Sequence, residues 1–198
     1  MTHGTLLVLS GPSGVGKSTA VAALQKLRPQ LRFSISATTR PPRPSERDGV
    51  NYYFVDRPTF ETMIDRGELL ENAEYVGNYY GTPVGPIDKL LEAGYDVLLD
   101  IEVQGAMQVR QRRSDAVLVF LAAPSFAELE RRLQGRGDTA PELIQKRLET
   151  AHREYQFADR YDYIVISDLV EKTAEELNAI LTAEQCRAKL RLAQLKEE

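Results

Sequence analysis

The segment Gly11-Pro12-Ser13-Gly14-Val15-Gly16-Lys17-Ser18-Thr19 constrains this chain more than any other. It follows the apolar run Leu6–Leu9 and opens Lys17–Arg28, which carries Val21, Leu24 and Leu27 at helical spacing. A strand, a glycine-rich turn and a helix in that order match the phosphate-binding pattern G-x-x-x-x-G-K-[ST]. The chemistry requires these residue types. Glycines let the backbone curl until its N–H groups point inward at phosphate oxygens, and the helix N-terminus adds partial positive charge. Lys17 is placed to reach the β- and γ-phosphates of a nucleoside triphosphate, and Ser18 can set its hydroxyl on Mg²⁺. At average residue frequencies such a match arises by chance about once in a hundred chains of this length, before its flanking elements are counted. The plain alternative is a glycine-rich turn with a lysine facing solvent.

Three further apolar runs, Val97–Leu99, Val117–Leu121 and Tyr163–Ile166, read as buried strands. Pro83–Ala93 and Phe126–Leu133 read as helices between them. Strands apolar throughout, alternating with helices, predict an α/β fold: a P-loop NTPase-type parallel sheet flanked by helices. Two stretches break the rhythm. Residues 34–85 are rich in proline, arginine and tyrosine, with a β-like Val50–Val55, and residues 125–150 are arginine-rich around a Gly135-Arg136-Gly137 turn. Both read as insertions on one core, the second lid-like. From Glu171 the pattern is a long amphipathic helix with Leu177, Ile180 and Leu181 on one side. The expected division is a domain over 4–183 and a helical tail over 184–198.

The 198 residues, 42% of them hydrophobic and 27% charged, suit one folded domain. A net charge of −4 argues against a nucleic-acid partner. No apolar run approaches the ~18 residues of a membrane span. The first ten residues lack the features of a signal peptide, and a single cysteine, Cys186, fits a reducing cytoplasm. Cys186 is expected to pack within the terminal helix. His3 and His152 have no metal-ligand spacing. Monomer and homo-oligomer remain equally open.

Val97-Leu98-Leu99-Asp100 is an apolar strand ending in an acid, which in a parallel sheet falls beside the phosphate loop, where ligands bind. Asp100 is a candidate for holding Mg²⁺, directly or through water, or simply a strand-ending acid; Glu102 follows two residues on. The phosphate loop specifies only a nucleoside triphosphate. A GTPase would show a guanine-reading Asn-Lys-x-Asp, which is absent, and a motor ATPase would be far larger. A small kinase needs a second pocket. Charge is segregated in a way that suits one: residues 28–47 hold five arginines against Glu46, whereas residues 61–74 hold five acids against Arg66. Ser36-Ala37-Thr38-Thr39-Arg40-Pro41-Pro42-Arg43 supplies arginine forks for phosphate, and Tyr52, Tyr53, Tyr79 and Tyr80 add hydroxyls on aromatic bodies.

Together with the phosphate loop, the segments Ser36-x-Thr-Thr-Arg-x-Pro-Arg, Asn51-Tyr52-x-Phe54, Gly77-Asn78-Tyr79-Tyr80-Gly81, Leu99-Asp100-Ile101-x-x-Gln104-Gly105 and Arg132-Leu133-x-Gly135-Arg136-Gly137 resemble the guanylate kinase family, in order, over about residues 4–183. The single-domain bacterial form is the nearest pattern. The resemblance implies Mg-dependent transfer of the ATP γ-phosphate to GMP. It places acceptor-phosphate contacts at Arg40, Arg43, Tyr52 and Tyr80. The guanine falls among Ser36, Glu71, Thr82 and Asp100, where the Glu71 carboxylate can accept from the ring N–H and the amino group at once. Lys17, Arg132, Arg136 and Arg147 correspond to the phosphate-transfer groups, and Arg131 lies outside the match. One departure is Ser167-Asp168, where the family often has Asn-Asp near the donor adenine. Two competitors remain, a catalytically inactive guanylate-kinase-like protein-binding module and a related kinase with a non-guanine acceptor. The first is opposed by the intact Lys17 and Ser18, the second by Glu71 and Thr-Thr-Arg.

Overall fold

The computed structural model describes residues 3–135 and 141–195. In chain order its elements are β1 (Leu6–Ser10), α1 (Lys17–Leu27), β2 (Arg32–Phe33), β3 (Ala37–Thr38), β4 (Tyr53–Phe54), α2 (Arg57–Asp65), β5 (Leu69–Tyr75), β6 (Asn78–Pro83) and α3 (Val84–Glu92). There follow β7 (Val97–Asp100), α4 (Val103–Arg112), β8 (Val117–Ala122), α5 (Phe126–Gln134), α6 (Pro141–Tyr155), β9 (Tyr163–Ile166), α7 (Val170–Gln185) and α8 (Ala188–Leu195).

The main sheet is parallel throughout, in the order β2-β7-β1-β8-β9. The period of two along a strand divides β1 between two cores. Leu7 and Leu9 join Leu24, Val119, Leu121, Leu177 and Leu181 on one face, under α1 and α7. Leu6 and Val8 join Leu99, Val103, Val109, Leu118 and Phe120 on the other, under α3 and α4. Fully buried strands explain the uninterrupted apolar runs of the sequence. The last run is the exception. Its strand β9 forms the edge of the sheet, so Tyr163 and Val165 pack inward while Ile164 and Ile166 remain exposed.

Residues 34–85 build a second, four-stranded sheet in the order β4-β3-β6-β5, closed over a small core of Ala37, Phe60 and Leu69. The β-like stretch is shorter than its sequence promised: only Tyr53–Phe54 form a strand, and Val50 lies exposed in the preceding turn. Helix α2 starts where Asp56 caps it, accepting from the Thr59 N–H at 2.9 Å, with Pro58 in the first turn. The insertion is fastened to the core at β5. Asn72 and Gln108 of α4 exchange two bonds, Asn72 N–H to Gln108 Oε1 at 3.1 Å and Gln108 Nε2 to Asn72 O at 3.0 Å.

Within the stretch 125–150, helix α5 packs into the main core through Leu129 and Leu133, which are fully buried there. Cys186 is exposed at the end of α7 instead of packed, since the helix has already turned its apolar side away by that residue. Among the described residues, no helix is long and apolar enough to cross a membrane.

Candidate active site

The register of the main sheet sets the site. Leu9 pairs with Asp100 and Ser10 with Phe120, so the carboxyl ends of β7, β1 and β8 finish together. The phosphate loop leaves β1 at this level. Gly11 adopts φ +151, and a Cβ there would lie 2.2 Å from the Leu121 carbonyl oxygen of β8, so only glycine lets the loop pass. The loop then bends through Gly14 and Gly16 into α1, while Val15 is buried in the core beneath it. Lys17 folds over its own loop, donating from Nζ to the Gly11 carbonyl at 2.5 Å. Ser13, Ser18 and Thr19 are exposed or half-buried at the loop and the first turn of α1, and Pro12 is buried.

Opposite the loop lies a cleft of about 700 Å³, lined by Gly11, Ser13, Lys17 and Asp100 on the core side and by Lys146, Arg147 and Glu154 of α6 on the other. Burial of the Asp100 carboxyl in this recess raises its pKa, and the Lys17 charge opposes the rise. Glu154 is raised for the same reason and is likewise opposed by Lys17. Arg132 reaches the loop from α5, donating from Nη1 to the Val15 carbonyl at 3.2 Å. It is steadied by Glu128 one turn earlier, whose carboxylate is 2.7 Å from Arg132 Nε. Arg131 and Arg132 together hold Glu128 down at a pKa of about 2. Arg131, outside the sequence match, is mostly exposed and among the described residues pairs with Glu128. Arg136 falls outside the described residues.

A second cluster sits on the insertion. Glu71 of β5 is only 8% exposed, and Oε1 accepts from the Thr82 hydroxyl of β6 at 2.6 Å. Its other oxygen faces Gly105 near the start of α4, where an added Cβ would come within 3.1 Å. Glu71 therefore stands at the seam between insertion and core. Burial raises its pKa, the Thr82 hydroxyl opposes this, and Glu102 raises it further. Thr82 gives its hydroxyl hydrogen to Glu71, which leaves half-buried Ser36 as the hydroxyl of this group without a side-chain bond among the described residues.

A third cluster gathers Arg40, Tyr52 and Tyr80. The Arg40 guanidinium lies over the Tyr52 ring at 5.5 Å and beside the Tyr80 hydroxyl, and the two tyrosine rings meet edge-on at 6.1 Å. Arg43 is less confined, its side chain 71% exposed. Tyr53 and Tyr79 turn away from this group and pack on the small core, with Tyr79 stacked on Phe60. Just past the carboxyl end of β9, beside the phosphate loop, Ser167 is buried, and its hydroxyl sits 3.2 Å from where a Cβ on Gly16 would lie.

A family model described as guanylate kinase matches residues 3–184. The chain belongs to the guanylate kinase family. The guanylate kinase of Desulfitobacterium hafniense (strain Y51) is 50% identical over 187 residues, 94% of each chain. A guanylate kinase of Thermus thermophilus is 54% identical over 186 residues, 94% of this chain and 84% of the relative. The crystal structure of guanylate kinase from Anaplasma phagocytophilum superposes with a TM-score of 0.71 at 34% identity, covering 96% of this chain and 90% of that one. This member of the family is thus an enzyme of the nucleoside monophosphate kinase class on a P-loop fold. Sequence reasoning named the arginines of its insertion but gave no role to Glu46, Glu128 or Glu154. Glu128 was legible as an acid four residues before Arg132; Glu46 meets Arg40 and Arg43 within a local proline-rich turn, and Glu154 faces Lys17 only through the tertiary fold.

Proposed function

We propose that this kinase transfers the γ-phosphate of ATP to GMP, releasing ADP and GDP, with Mg²⁺ accompanying the triphosphate. The observation that carries the reading is the buried Glu71–Thr82 pair at the seam of insertion and core. Guanine offers a ring N–H and an amino group side by side, and a carboxylate takes both. Adenine offers no such donor pair and would leave the buried Glu71 carboxylate short of donors beyond Thr82, a mismatch of the kind that discriminates by up to about 10⁴–10⁵. Ser36 is free to donate to the guanine oxygen. Arg40, Arg43, Tyr52 and Tyr80 then take the acceptor phosphate.

The acceptor needs no general base, because a phosphate monoester with a second pKa of ~6 is already largely dianionic at pH 7. Catalysis falls to in-line positioning and charge neutralisation. Lys17 must exchange its loop carbonyl for phosphate oxygens, Arg132 and Arg147 approach from α5 and α6, and Arg136 is assigned to the same task on the family resemblance alone.

The donor set suits magnesium. The exposed Ser18 hydroxyl and the Asp100 carboxylate are hard oxygens beside the loop, and the described residues show no cluster of three or more His, Cys, Asp or Glu that would cage a metal without a nucleotide. Mg²⁺ would be held by Ser18 and Asp100 and would supply charge stabilisation on the phosphate oxygens. A coupled assay of ADP release with GMP, AMP, UMP and CMP in turn tests the reading. Turnover with GMP alone is expected; equal turnover with any other acceptor overturns it.

A further inference from the structure

Between the two arginines assigned to the acceptor phosphate lies a carboxylate that no phosphate contact calls for. Glu46 is 12% exposed, and both of its oxygens are engaged. Oε1 accepts from Arg40 Nη2 at 2.9 Å, and Oε2 accepts from the backbone N–H of Arg43 at 2.8 Å. The Glu46 N–H in turn donates to the Arg43 carbonyl at 2.9 Å, closing a four-residue turn with Pro44 at its second position. The Arg43 guanidinium remains near, 3.9 Å from Oε1. One side chain thus fixes the head of Arg40 and the backbone of Arg43 to a common point.

We propose that Glu46 is a positioning residue for the acceptor phosphate, holding Arg40 in its binding orientation and setting Arg43 beside it. The inference rests on the GMP reading above. A negative charge beside a phosphate site repels the ligand, so Coulombic attraction alone gives no reason for a carboxylate here. Geometry does. An arginine has five N–H donors. Glu46 and the Pro41 carbonyl take one each, the latter at 2.7 Å, and Tyr80 lies within reach of a third. At least two remain, the number a bidentate phosphate contact uses. A freely rotating Arg40 would have to lose that freedom on every binding event.

The test is Glu46→Gln, alone and in an Arg40→Ala background, with GMP and ATP kinetics, guanosine as a competitive inhibitor, and the thermal midpoint. Alone, the substitution should raise the GMP KM about tenfold while the ATP KM, kcat and guanosine inhibition stay within about twofold. In the Arg40→Ala background it should change the GMP KM by no more than about twofold. An unchanged GMP KM, an equal loss in both backgrounds, or a matching loss of guanosine binding overturns the inference. So does a collapse of the thermal midpoint, which would make Glu46 part of the loop's folding alone. A wild-type enzyme that fails to phosphorylate GMP overturns the function reading together with this one. A GMP-specific wild type with an indifferent Glu46→Gln variant overturns this inference only.

Discussion

Glu71 is a buried carboxylate, and its proposed role in the site requires the charged form. Its pKa is raised above the ordinary glutamate range. As pH falls, Glu71 therefore takes up a proton before exposed glutamates do, and its acceptor face becomes in part a donor. The GMP KM should rise on the acid side at a higher pH than an ordinary glutamate would give, while the ATP KM lacks that limb. Glu71→Gln should show a high GMP KM whose acid limb is reduced to the titration of the GMP phosphate itself, with a second pKa of ~6, measured as KM against pH for each substrate. Lys17→Ala should abolish transfer and leave the thermal midpoint in place, because the side chain bonds only to its own loop among the described residues. Arg40→Lys should cost more GMP affinity than Arg43→Lys, since Arg40 is held by Glu46 and two tyrosines while Arg43 is largely in solvent; titration of GMP against each variant decides the order. Lys17 and Glu71 were legible because motif and chemistry converge on them. Glu46 was not, because its partner Arg40 lies six residues away across a proline-rich turn that no periodicity describes.

Among the elements, α5 carries more of the site than its arginines suggest. A Cβ at Gly14 would lie 2.7 Å from Leu133 Cδ2, so this helix forms the floor on which the phosphate loop is laid. Leu133→Ala should cost about 2–5 kcal/mol of stability by leaving a cavity in the main core, read as a shift of the urea midpoint, and should weaken ATP before GMP. The core strands β1, β7 and β8 and the helices α1, α3, α5 and α7 were readable in the sequence because full burial produces unbroken apolar runs and amphipathic helices repeat every 3.6 residues, whereas β5, β6 and α4, with polar residues throughout, were not. The two-residue strands β2, β3 and β4 are too short to show any period. Helix α2 was missed although Asp56 and Pro58 announce its start, because its surroundings read as loop composition. The edge position of β9 is a property of strand order, which hydrophobicity does not record.

At the scale of the whole molecule, chemistry and bracing occupy opposite ends of the main sheet. Below the amino ends of the strands, Asp96 is 8% exposed and accepts from Arg28 Nη1 at 2.7 Å, the Thr5 N–H at 2.9 Å and Gln185 at 3.0 Å. Arg28 continues to Asn178 and Thr182 of α7. This network joins α1, β1, β7 and α7. Asp96→Ala strands the buried Thr5 N–H and the Arg28 guanidinium. It should destabilise by about 3 kcal/mol in denaturant titration with kcat nearly unchanged. The reciprocal amide pairing of Asn72 with Gln108 has a different reach. A glutamine side chain there plays the part of a neighbouring strand, giving β5 an extra rung on the helix behind it. Glu71, the proposed purine reader, stands one residue before that rung, so its backbone is tied to the chassis through the same pair.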